Sequence, residues 1–116
     1  MSKKVLVVED EEYMHEIWRW ELDGKVVLLS ALSVAEAEEQ FTANPDIVAI
    51  VMDACVPGSL PNTLPLVRKF RETFKGPIIA ISSNKSYRRQ LVRAGCDHES
   101  TKNFLPQKLL EILGLS

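Results

Sequence analysis

Apolar residues gather into two kinds of segment along the chain. Four short runs, Val5 to Val8, Val26 to Leu29, Ile47 to Met52 and Ile78 to Ile81, are rich in valine and isoleucine and do not alternate with polar residues. That pattern suits strands buried on both faces of a parallel sheet. The stretches between them carry helical spacing. Met14, Ile17, Trp18 and Leu22 fall on one face of a first helix, which leaves Glu12, Glu16 and Arg19 elsewhere around it, His15 on the outer face and Trp20 off the stripe and exposed.

A second helix is expected to begin at Ser33, with Ser33 and Glu36 as a capping box, and to run to about Ala43, where Asn44-Pro45 stops it. A third is expected from near Asn62 to Phe74, with Leu66, Val67, Phe70 and Phe74 as its apolar stripe and Arg68, Lys69, Arg71 and Glu72 facing water. Gly76-Pro77 breaks it. The fourth, roughly Lys85 to Ala94, ends at Gly95, a residue suited to a left-handed terminus. The last runs from about Pro106 to Leu113. Alternation does not identify Cys96 to Thr101 as a strand, but the β-α rhythm requires an edge strand there. Five βα units in series predict a single α/β domain over residues 1–116: a doubly wound, flavodoxin-like five-stranded parallel sheet with right-handed crossovers.

Composition narrows the function classes. A chain of 116 residues, 46% hydrophobic and 26% charged, has room for one core. Its net charge of -2 creates no global field toward nucleic acid or an anionic membrane. No apolar run approaches the roughly 20 residues of a membrane span, and the start resembles no cleavable leader, so a cytoplasmic location is expected. Cys55 and Cys96 make neither a CxxC pair nor a metal-ligand spacing and are read as reduced thiols.

The predicted topology gathers chemistry. In a doubly wound sheet, ligands bind outside the carboxyl ends of the strands. Strand one ends in Glu9-Asp10, strand three in Asp53, strand four in Ser82-Ser83 and strand five in Thr101-Lys102. Three crowded carboxylates call for a hard divalent cation such as Mg²⁺. A carboxylate is also a competent nucleophile toward phosphorus, while Lys102 and Ser82 provide a cation and a donor for the oxygens of a transferring phosphoryl group.

These residues resemble the receiver domains of bacterial two-component response regulators, over the whole chain. Val-Leu-Val-Val-Glu9-Asp10 is similar to the family's first strand and acidic pair, and Ile-Val-Met-Asp53-Ala-Cys-Val-Pro57-Gly58 to its phosphoacceptor strand and loop. Pro77-Ile-Ile-Ala-Ile-Ser82-Ser83 resembles the strand ending in the switch hydroxyl, and Ala94-Gly95 stands at the family's spacing from Lys102. The resemblance implies a phosphorelay switch that accepts a phosphoryl group on Asp53, binds Mg²⁺ through Glu9, Asp10, Asp53 and the Cys55 carbonyl, and uses Ser82 and Lys102 on the phosphoryl group. It implies a sensor histidine kinase or histidine phosphotransfer protein as donor, an output partner, and slow self-hydrolysis in place of enzyme turnover. It also implies that Cys55 and Asn84 tune the lifetime of the phosphoryl group, and that the fourth helix, fifth strand and fifth helix form an output face.

Two departures stand out. The family commonly places a cis-bonded proline after the lysine, where this chain has Asn103, and an aromatic residue three positions before it, where this chain has Glu99. Two rival readings follow: a receiver-like docking module that is never phosphorylated, and a metal-dependent hydrolase on the same rim. Lys85, Arg88, Arg89 and Arg93 make the fourth helix basic, which reads as a solvated face, since only Tyr87 could stack on a base.

Overall fold

The computed structural model describes residues 3–58 and 60–115. The chain's first two residues, on which the reading of its start partly rests, and its last lie outside them. The order is β1 (Lys3–Val8), α1 (Glu12–Glu21), β2 (Val26–Ala31), α2 (Val34–Ala43), β3 (Ile47–Asp53), α3 (Leu64–Arg71), β4 (Ile78–Ile81), α4 (Lys85–Ala94), β5 (His98–Ser100) and α5 (Leu105–Leu113). The strands form one parallel sheet in the order β2-β1-β3-β4-β5. This is the doubly wound sheet that the sequence predicts, with β5 at the edge.

The unbroken apolar runs reflect burial from both sides. Leu6, Val8, Ile50, Met52, Ile78 and Ala80 face α2, α3 and α4, where Phe70, Val67 and Leu91 pack on them. Alternate residues of the same strands, including Val5, Val7, Val51, Ile79 and Ile81, face Trp18 and Leu22 of α1 and Leu105 and Leu109 of α5. Each strand therefore contributes to two cores, which explains the absence of a period of two.

Ser33 caps α2 by accepting from the Glu36 amide at 3.1 Å, but Glu36 returns its bond to the Leu32 amide at 2.9 Å, one residue outside the expected box. Helix α3 is shorter than expected at both ends. Asn62 spends its side chain on the Val56 amide and carbonyl, both at 2.7 Å. Pro65 sits in the first turn of α3, where a missing N–H costs nothing. After Arg71 the chain tightens into turns, with Phe74 still packed edge-on to Phe41, which stacks on Phe70 at 4.2 Å.

Three surface expectations are corrected. His15 is buried and Ile17 is 43% exposed, so the inward stripe of α1 is His15, Trp18 and Leu22, with Met14 half-buried. Arg71 does not face water: its guanidinium donates to the carbonyls of Gly95 at 2.7 Å, Gly76 at 2.6 Å and Phe74 at 3.1 Å and pairs with Asp97 at 3.1 Å. Its stem packs where a Gly95 side chain would stand, and Gly95 has φ 139°, so glycine is required there on both counts. Arg88 is also withdrawn from solvent, with its side chain 14% exposed. Trp20, by contrast, is 81% exposed, as its position off the stripe predicts.

Candidate functional site

In the order β2-β1-β3-β4 the chain leaves β1 toward β2 on one side and leaves β3 toward β4 on the other, which opens a crevice at the carboxyl ends of β1 and β3. Glu9 follows β1 directly, fully buried, with its amide bonded to the Ala31 carbonyl at 3.0 Å. Asp53 is the last residue of β3 and is 5% exposed. Asp10 is half-buried at the mouth. One oxygen from each of Glu9, Asp10 and Asp53 lies within 4.8 Å of the other two.

Lys102 enters from the turn after β5, which spans His98–Ser100 and so ends one residue earlier than the expected Cys96 to Thr101. Its ammonium stands 2.7 Å from Glu9 Oε1 and 3.3 Å from both Asp53 Oδ2 and Glu11 Oε1. The contact with Glu9 is a charge contact without hydrogen-bond alignment, so Glu9 Oε1 remains a buried acceptor with no hydrogen bond. Burial raises the Glu9 carboxyl from 4.5 to about 8, Lys102 pulling against the rise and Asp53 adding to it. Burial would lower the Lys102 ammonium, but Glu9, Asp53 and Glu11 outweigh it and leave it raised. Three hard oxygen donors crowded at one end of the sheet, one of them on a buried carboxyl that holds its proton up to about 8, are what a divalent cation such as Mg²⁺ would relieve. The donor set fits it.

The rest of the predicted site converges on the same place. Asp10, Asp53, Cys55, Ser82, Asn84 and Lys102 line an open cleft of about 520 Å³, together with Tyr87. Ser82 is 6% exposed, and its hydroxyl accepts from the Asn84 amide at 3.1 Å. The Cys55 amide reaches Asp53 Oδ1 at 3.4 Å, and burial raises the Cys55 thiol. Cys96 lies away from the cleft, and burial pushes its thiol up to about 12. Both cysteines are free.

Three supporting residues were not legible as such. Thr63 is fully buried and its hydroxyl donates to the carbonyls of Asp53 at 2.8 Å and Ala54 at 3.2 Å, which holds the end of β3. His15 Nε2 stands 2.7 Å from the Glu9 carbonyl and, as the donor, satisfies a backbone group beside the acids. Burial lowers its pKa, consistent with a neutral ring. Glu11, given no role by the sequence, contacts Lys102 and donates its amide to Glu9 Oε2 at 3.3 Å. A histidine at helical spacing from Trp18 and Leu22 was the one available signal.

Both departures have structural outcomes. Val56–Pro57 is the one cis peptide among the described residues, so Lys102–Asn103 is trans. Glu99 pairs with Arg88 at 3.2 Å and Arg89 at 3.4 Å.

No protein-family model matches the chain, and no curated protein matches it in sequence. Solved structures match it in fold. A two-component response regulator from Clostridium difficile superposes with a TM-score of 0.82 at 18% identity, covering 97% of each chain. The response regulator signal receiver domain from Bermanella marisrubri gives 0.79 at 19% identity, covering 97% of this chain and 99% of that one. The chain has the response-regulator receiver fold. A third receiver structure, the BeF3-activated N-terminal domain of RstA from Klebsiella pneumoniae, gives 0.77 at 22% identity over 97% of each chain. The receiver fold thus accounts for where the acids, Ser82 and Lys102 meet. Among the described residues no helix is long and apolar enough to cross a membrane.

Proposed function

We propose that this chain is a phosphoacceptor switch of the response-regulator type, with Asp53 as the acceptor. The observation that carries the reading is the meeting of three carboxylates within 4.8 Å, with the Lys102 ammonium 3.3 Å from Asp53, at the switch point of a receiver fold. Glu9, Asp10, Asp53 and the Cys55 carbonyl would hold Mg²⁺. When bound, the ion supplies positive charge that screens Asp53 from the oxygens of an incoming phosphoryl group.

In the reaction, an Asp53 carboxylate oxygen attacks the phosphorus of a phosphohistidine on a sensor kinase or phosphotransfer protein. The P–N bond breaks, its electron pair stays on the imidazole nitrogen, and an acyl phosphate forms on Asp53. Lys102 neutralises charge on the transferred oxygens and the Ser82 hydroxyl donates to one of them. Water later hydrolyses the acyl phosphate slowly, which makes the chain a timed switch and not a turnover enzyme. Its action is cytoplasmic, and a partner reads the altered surface.

Intact-mass measurement after incubation with a small acyl-phosphate donor tests this reading. A single Mg²⁺-dependent phosphoryl adduct, absent from Asp53→Asn, is expected; no adduct in the presence of Mg²⁺ would overturn it. A second reading, a docking module that is never phosphorylated, is favoured by one observation: Lys102 already compensates Glu9 at 2.7 Å. It predicts that Mg²⁺ does not bind at millimolar concentration, which calorimetry settles.

A further inference from the structure

Arg88 reaches from α4 to the ends of two strands. One guanidinium nitrogen, Nη1, donates to the carbonyl of Ser82 at 2.6 Å, and Nε donates to Glu99 Oε1 on β5 at 3.2 Å. Glu99 is opposite Ala80 in the β4–β5 register, so the bridge spans neighbouring strands near the rim. The Ser82 hydroxyl lines the cleft, while Arg88 and Glu99 line a separate open cleft of about 410 Å³ with Phe104 and Lys108. One side chain thus stands between two surfaces.

The chemistry favours a rigid strut. A guanidinium presents its donors in fixed directions in a plane, which a lysine ammonium cannot reproduce. A cation withdrawn from solvent needs a partner, and Glu99 supplies it at 33% exposure, with Arg89 at 56% exposure as an outer contact. The Ser82 carbonyl is at the start of a short connection to α4, whose first amides are bonded by the Ser82 hydroxyl and the Asn84 side chain. Holding that carbonyl therefore restrains the backbone that carries the hydroxyl, while the Asn84 amide holds the hydroxyl itself.

We propose that Arg88, gripped by Glu99, is a positioning residue that holds the segment bearing the Ser82 hydroxyl ready for a phosphoryl group. This rests on the function proposed above and names a positioning residue of that site.

The test compares wild type with Arg88→Ala, Glu99→Ala, Arg88→Lys and the double alanine variant, titrated with Mg²⁺ alone and then with beryllofluoride at saturating Mg²⁺. Arg88→Ala should weaken beryllofluoride by about tenfold or more, the scale on which outer groups orient a binding residue. Its Mg²⁺ affinity should stay within about twofold, because Arg88 touches none of the three acids. Glu99→Ala should produce part of the same loss and add nothing in the Arg88→Ala background, while Arg88→Lys should recover little. Unchanged beryllofluoride affinity, a parallel fall in Mg²⁺ affinity, or additive losses would overturn the proposal. If wild type takes no beryllofluoride, the phosphoacceptor reading fails, and the strut is read alone by amide exchange at Ser83 and Asn84 in the metal-free protein. Faster exchange in Glu99→Ala and Arg88→Lys supports it, and unchanged exchange overturns it. These two variants also serve if Arg88→Ala does not fold.

Discussion

The two rims of the sheet treat charge in opposite ways. At the amino ends of the strands, charged groups are spread out and satisfied: Lys4 pairs with Asp46 at 3.0 Å, and Arg71 closes three backbone carbonyls and Asp97. At the carboxyl ends, Glu9 and Asp53 are buried around one ammonium, and one Glu9 oxygen has no hydrogen bond. The same fold thus keeps one rim for holding loops together and concentrates unresolved electrostatics on the other. Frustration of that kind marks a site that gains from a ligand.

Substitutions should separate the two rims. The largest effect is expected at the carboxyl rim: Glu9→Gln should cost about 10- to 100-fold in Mg²⁺ affinity by calorimetry. Urea unfolding of the metal-free variant above pH 8, where Glu9 would be charged, should show stability undiminished, because one of the crowded carboxylates has been neutralised. Arg71→Ala should do the reverse. It orphans half-buried carbonyls and should cost about 2–4 kcal/mol of stability, with Mg²⁺ affinity unchanged.

Acidity offers a third separation. Glu9 has its folded value raised from 4.5 to about 8, so its contribution to metal-free stability is complete below 4.5 and is lost as pH rises toward 8. His15 is lowered, so its contribution is present above 6.5 and falls as the solution is acidified below that value. Mg²⁺ must displace the Glu9 proton, and its affinity should rise by about tenfold per pH unit as pH climbs toward 8. Glu9→Gln should flatten that slope, which calorimetry at several pH values would reveal. The smallest effect is expected at Lys4: Lys4→Ala removes one exposed pair and should shift stability by less than about 0.5 kcal/mol in urea unfolding.

Much of the fold was legible because strand burial and helix spacing are properties of residue type. The β4 and α4 bounds match the sequence reading residue for residue, since Pro77, Ser82 and Gly95 punctuate them. The acceptor rim was legible too, because topology alone brings Glu9, Asp10, Asp53, Ser82 and Lys102 together. What escaped was polar burial. Periodicity ranks His15 below Ile17 for the core, yet the Glu9 carbonyl needs a donor there and the histidine provides one. Arg71 and Arg88 read as solvated charges because nothing in a sequence shows which carbonyls lie within their reach. Thr63 and Asn62 looked like part of a helix start, while their side chains were committed to the loop after Asp53.

The most direct test of the acceptor rim is to locate the phosphoryl group by tandem mass spectrometry after treatment with a small acyl-phosphate donor. The account predicts a single modification on Asp53, formed only with Mg²⁺. A phosphoryl group on any other residue, or one that forms equally well in a chelator, would contradict it.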